Sequence, residues 1–174
     1  MYDFKNKIRS IPDFPIQGIT FRDITTLMKD GEAFREACEE LFLRYIDKKI
    51  DKIVGIDARG FIFGAVLAYK LGVGFVPIRK KGKLPYKTIS EKYALEYGTA
   101  EIEIHEDAID KGERVVIVDD LIATGGTISA AIKLVERLGG EIVECAFVVE
   151  LPGLKGREMI KGYNVYSLVS FEDD

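Results

Sequence analysis

Asp119 and Asp120 follow four β-branched residues, Val115 to Val118, and precede Ala123, Thr124, Gly125, Gly126 and Thr127. Adjacent carboxylates can accept the two hydrogen bonds of a sugar diol or help position a metal. Paired glycines reach backbone angles that turn successive N–H groups into one concavity, an anion nest. Thr124 and Thr127 add hydroxyl donors, and a helix beginning here aims its positive end at the same spot. A monophosphate cradle beside a diol acceptor describes a site for a phosphorylated ribose. It is not a Walker A loop, because no Lys-Ser or Lys-Thr follows a glycine at the required spacing. Each feature alone reads equally well as a helix cap or a tight turn; the ordered string points to a ligand.

Two further stretches carry anion chemistry. Asp57-Ala58-Arg59-Gly60 sets an arginine fork, suited to phosphate oxygens, beside a glycine that lets backbone approach closely. From Arg79 to Lys87 there are five cationic residues in nine and no acid. A charge run is ordinarily a solvated face. In a chain of net charge −4 it reads better as a local lure for a polyanion.

The elements that must position these turns are short and alternate in type. The unbroken apolar run at 115–118 suits a parallel strand buried on both faces. Residues 52–56, 75–78 and 142–149 read as further buried strands, 100–104 as a half-buried one and 163–169 as an edge strand. Helical periodicity covers 31–49, 61–71 and 127–138, the last stopped by Gly139-Gly140. Residues 6–10 allow one short helix, while the two prolines and the glycine within 12–18 deny the stretch 12–24 regular structure. Residues 88–98 lead into a hairpin, within a connection long enough to serve as a lid or binding loop. This β-α-β order predicts an α/β fold with a mostly parallel central sheet, helices on both faces and ligands at the strands' carboxyl ends.

Composition closes off other classes. At 174 residues, with 47% hydrophobic, the chain can bury the core of one domain and shows no repeat or linker. No apolar run approaches a membrane span, and the first seven residues carry charge where an export signal needs an apolar core, so a cytoplasmic location is expected. Cys38 and Cys145 sit apart in apolar patterns and read as buried thiols. With one histidine, His105, a His/Cys metal site is not expected. The acidic balance argues against nonspecific nucleic-acid binding.

The string from Val115 to Thr127 resembles the phosphoribosyl-pyrophosphate (PRPP) signature of the type I phosphoribosyltransferases. Pro12-Asp13-Phe14-Pro15 with the residues from Gly18 to Ile24 is similar to the hood of the adenine-specific members, and Leu95-Glu96-Tyr97-Gly98 to their arm. The resemblance runs from Pro12 to about Lys161. It implies the type I phosphoribosyltransferase fold in one domain, with a hood over about 1–30 and a flexible catalytic arm over about 79–104. It implies purine salvage: transfer of 5-phosphoribosyl from PRPP to N9 of adenine, giving AMP and pyrophosphate, in a cytoplasmic homodimer. Asp119 and Asp120 would hold the ribose, Ala123 to Thr127 the 5′-phosphate, and Arg59, Arg79 and Lys83 the pyrophosphate. Thr20, Phe21, Arg22 and Leu151 would surround adenine, with Thr20 standing where an apolar residue is expected. Glu96 would be the catalytic carboxylate. Mg²⁺ would be held mainly by PRPP oxygens and water. Two other readings stay open: the same scaffold serving another base, such as xanthine, and a PRPP-sensing protein that only binds.

Overall fold

In the computed structural model, which describes residues 2–95 and 98–172, nine strands and five helices follow one another in a largely alternating order. The N-terminal part holds β1 (Arg9–Ile11), β2 (Phe21–Asp23), α1 (Thr25–Lys29) and α2 (Gly31–Tyr45). Then come β3 (Lys52–Ile56), α3 (Arg59–Leu71), β4 (Gly74–Lys80), β5 (Thr88–Ala94) and β6 (Thr99–His105). The chain finishes with β7 (Arg114–Ile122), α4 (Gly126–Arg137), β8 (Glu141–Glu150), α5 (Gly156–Met159) and β9 (Val165–Ser170).

Seven strands form one sheet in the order β5-β6-β4-β3-β7-β8-β9. From β4 to β9 neighbouring strands are parallel; β6 lies antiparallel to β4, and β5 to β6. The unalternating apolar run of β7 is explained by two cores. Val116 and Val118 pack with α2 and α3, whereas Val115 and Ile117 pack with α4. Because β3 leads to β4 on one side and β7 to β8 on the other, strand order reverses between β3 and β7. The crevice beyond the carboxyl ends of those two strands is where an open α/β sheet binds ligands.

Three local expectations are corrected. The helix expected over 6–10 is a single 3-10 turn, Lys5–Lys7, after which the chain extends as β1. So short a helix returns little on its nucleation, and pairing with β2, with Arg9 opposite Asp23 and Ile11 opposite Phe21, satisfies the backbone instead. The stretch expected to be irregular over 12–24 therefore ends in a strand. Only its tip is a turn, closed by the Phe14 N–H donating to the Ile19 carbonyl at 3.0 Å. The helix over 31–49 stops at Tyr45, since Asp47, Lys48 and Lys49 offer no apolar face to bury.

Candidate active site

β7 continues past its apolar run, so both carboxylates are part of the strand rather than of the turn after it. Asp119 sits opposite Phe147 of β8, and the Asp120 N–H donates to Asp119 Oδ1 at 2.8 Å. Asp120 is buried, and its Oδ2 accepts from Arg59 Nε at 2.5 Å. Desolvation and then the neighbouring Asp120 charge push the Asp119 carboxyl well above the ordinary range. Burial works against the Arg59 charge, but Asp120, with Asp119 and Asp23, more than offsets it. Arg59 reaches this pair because Gly60 lets the start of α3 lie directly on β7: a methyl there would fall 2.7 Å from the Val118 carbonyl oxygen.

Past the strand, Gly125 takes φ 84° and caps α4, whose first residues are Gly126 and Thr127. The nest and the helix end expected from the sequence thus coincide. Across the crevice, Arg79 at the end of β4 donates to Asp57 Oδ2 at 2.9 Å and to the Lys83 carbonyl at 3.4 Å. Buried Glu103 of β6 accepts the N–H groups of Gly82 and Leu84 at 3.1 and 3.0 Å, tying the basic loop to the sheet.

One cavity of about 710 Å³ joins these parts. Thr20, Phe21, Arg22, Arg59, Arg79, Asp119, Asp120, Leu151 and every residue from Ala123 to Thr127 line it. One wall holds Thr20, Phe21 and Arg22, the residues expected over adenine, and the irregular reading of residues 12–24 missed only the pairing of Phe21 and Arg22 in the β1–β2 ribbon. Lys83 is not on the wall; it meets Arg79 through its carbonyl. Glu96 lies outside the described residues; beside it in the chain, the Leu95 N–H donates to the Gly98 carbonyl at 3.0 Å. Tyr93 and Leu154 also line the cavity, and the sequence reading named neither as a site residue. Ile89 and Tyr93 both pack on the core beside α4.

Residues 25–172 match the phosphoribosyl transferase domain family. Over 172 residues the chain is 64% identical to the adenine phosphoribosyltransferase of Desulfosudis oleivorans, covering 99% of each. The crystal structure of the Thermoanaerobacter pseudethanolicus adenine phosphoribosyltransferase superposes with a TM-score of 0.92 at 54% identity, over 97% of this chain and 98% of that one. The Saccharomyces cerevisiae enzyme, solved with an imino-altritol bisphosphate and adenine, superposes with a TM-score of 0.90 at 42% identity, over 96% and 97%. The chain belongs to the adenine phosphoribosyltransferases. It is a purine salvage enzyme, moving the 5-phosphoribosyl group of PRPP to adenine to give AMP and pyrophosphate.

Among the described residues no three His, Cys, Asp or Glu side chains gather as a metal cage. The Asp119 and Asp120 carboxylates, open to the cavity beside Arg59, offer oxygen donors of the kind a hard divalent cation takes. No helix among the described residues is long and apolar enough to cross a membrane.

Proposed function

We propose that the transfer takes place in the cavity between β3 and β7, with its turns dividing the substrates among them. The observation that carries this reading is convergence. The paired carboxylates, the phosphate turn, the two arginines and the N-terminal ribbon all open onto one space. The turn at 123–127 takes the 5′-phosphate through its N–H groups, the Thr124 and Thr127 hydroxyls and the end of α4. Asp119 and Asp120 accept from the ribose hydroxyls. Arg59 and Arg79 face the pyrophosphate, and Lys83 adds positive field from the loop. The ribbon is the hood, with Thr20, Phe21 and Arg22 against adenine and Leu151 behind it. Residues of about 79–104 are the arm. The yeast relative, with a sugar-like bisphosphate and the base bound together, supports this pairing of subsites.

The C1′–oxygen bond to pyrophosphate breaks as the bond to N9 forms, through an oxocarbenium-like state. The work of the protein is to hold two anions, shield a cation and exclude water. When bound, Mg²⁺ neutralises charge on the departing pyrophosphate, held by PRPP oxygens and water with Asp119 and Asp120 nearby. Glu96 takes up the purine proton as N9 bonds. The family resemblance further supports a cytoplasmic homodimer, which sedimentation of the purified protein checks.

The reading is tested by AMP formation from adenine, PRPP and Mg²⁺, with hypoxanthine, guanine, xanthine and uracil in parallel. Turnover with adenine alone is expected; turnover with another base would discard the hood assignment. Glu96→Ala is expected to lower turnover about 100-fold or more, the usual worth of a general acid–base group, with PRPP affinity nearly unchanged. Equal losses in both would remove Glu96 from its role.

A further inference from the structure

We infer that the segment following β8 sets the position of the phosphate turn, with Gly156 as the point of contact and Arg157 as the clamp. This rests on residues 123–127 being the phosphate site.

Two backbones meet here with no side chain between them. A methyl on Gly125 would fall 2.5 Å from the Gly156 carbonyl oxygen and 2.9 Å from Met159 Cβ. A methyl on Gly156 would land on the Ala123 carbonyl oxygen and within 2.8 Å of the Ile122 side chain. Each glycine is thus the only residue its neighbour's backbone tolerates, and the separation of the two strips of chain is fixed by direct contact. The Ala123–Gly125 stretch cannot move toward α5 unless Gly156 moves with it.

Gly156 is in turn tied to the sheet. The Leu151 N–H donates to the Ile122 carbonyl at 3.0 Å, and Lys155 at φ 57° turns the chain into α5. Arg157 then places its fork on buried Glu150 at the end of β8, with Nε to Oε1 at 2.5 Å and Nη2 to Oε2 at 2.6 Å. Its remaining nitrogen donates to the Val165 carbonyl of β9 at 3.3 Å, and the Ser167 hydroxyl donates to the same carboxylate at 2.8 Å. One exposed arginine therefore spans the ends of β8 and β9 and holds the residue before it against the cradle. A nest of N–H groups recognises an anion only in one geometry, so displacement of a fraction of an ångström costs affinity for the phosphate first.

Arg157 and Gly156 are positioning residues, and the test must separate position from stability. Affinities for AMP and for adenosine, which lacks the phosphate, are measured on the full chain and on Gly156→Ala and Arg157→Lys. Gly156→Ala is expected to weaken AMP about 10-fold or more, as small misplacements of binding groups do, and to leave adenosine within about 2-fold. Arg157→Lys keeps the charge and loses the fork, and is expected to show the same selective loss at about 3-fold. AMP affinity unchanged in both variants, or AMP and adenosine weakened equally, would overturn the inference. If Gly156→Ala does not fold, Arg157→Lys decides alone. A wild-type protein that binds AMP no more tightly than adenosine would overturn the phosphate reading beneath it.

Discussion

Of the buried carboxylates that face an arginine, Glu144 and Asp120 are set up in opposite ways. In the amino half of β8, Glu144 accepts from Arg44 Nε and Nη2 at 2.5 and 2.7 Å and from the Tyr45 hydroxyl at 2.7 Å. Burial would push its carboxyl up, but those hydrogen bonds and the Arg44 charge hold it below the usual range. At the carboxyl end of β7, Arg59 meets a pair of acids and bonds one of them, leaving Asp119 pushed upward. The first arrangement is saturated and closed. The second keeps acceptors unsatisfied and opens onto the cavity. A buried ion pair with both carboxylate oxygens bonded by the protein organises packing; a carboxylate pair with spare acceptors is poised for donors from a ligand.

The contrast breaks most visibly at the closed site. Arg44→Ala leaves Glu144 buried without its partner, a change that typically costs about 3–5 kcal/mol. For a chain of this size each kcal/mol lowers Tm by about 2–4 °C, and calorimetry checks the loss. Activity per folded molecule should stay unchanged, because Arg44 does not line the cavity.

Asp120→Ala is the counterpart at the open site. Hydrogen bonds to charged groups are worth about 1.5–3 kcal/mol, so kcat/KM for PRPP should fall about 10- to 100-fold in steady-state assays. Tm should hardly move, since half-exposed Arg59 can turn to water. A large loss of stability with normal PRPP kinetics would reverse the two sites' roles.

Asp119→Asn gives the smallest and most diagnostic effect. A carboxyl whose folded pKa is raised contributes fully below its unfolded value, near about 4, and loses that contribution as pH rises through the folded one. The variant should therefore match the wild type in acid and exceed it at neutral pH. Denaturant unfolding across pH checks the sign. A gap that shrinks as pH rises contradicts it.

The part of the site legible in the sequence was the part written in contiguous residues. Val115 to Thr127 encode their own strand, turn and helix start, so chemistry and position could be read together. Asp57 to Gly60 was legible in the same way. The ribbon was not, because its pairing joins Arg9 and Asp23 across fourteen positions and uses no apolar alternation. Nor was the continuation of β7 through Asp119 and Asp120: acids rarely extend a strand, and here pairing with β8 overrides propensity. Tyr93 and Gly156 depend on contacts with residues 30 or more positions away, which no local pattern records. Lys83 carried the right charge, but the turn held by Glu103 directs its carbonyl, rather than its place on the wall, toward Arg79.

The most direct test of the central claim, that the carboxylate pair holds the ribose diol, is a ligand and variant cycle. AMP and 2′,3′-dideoxy-AMP are titrated into the wild type and into Asp120→Ala. Removing the diol is expected to weaken binding to the wild type about 10-fold or more and to change binding to the variant little. Equal losses in both proteins would show that the diol is read elsewhere.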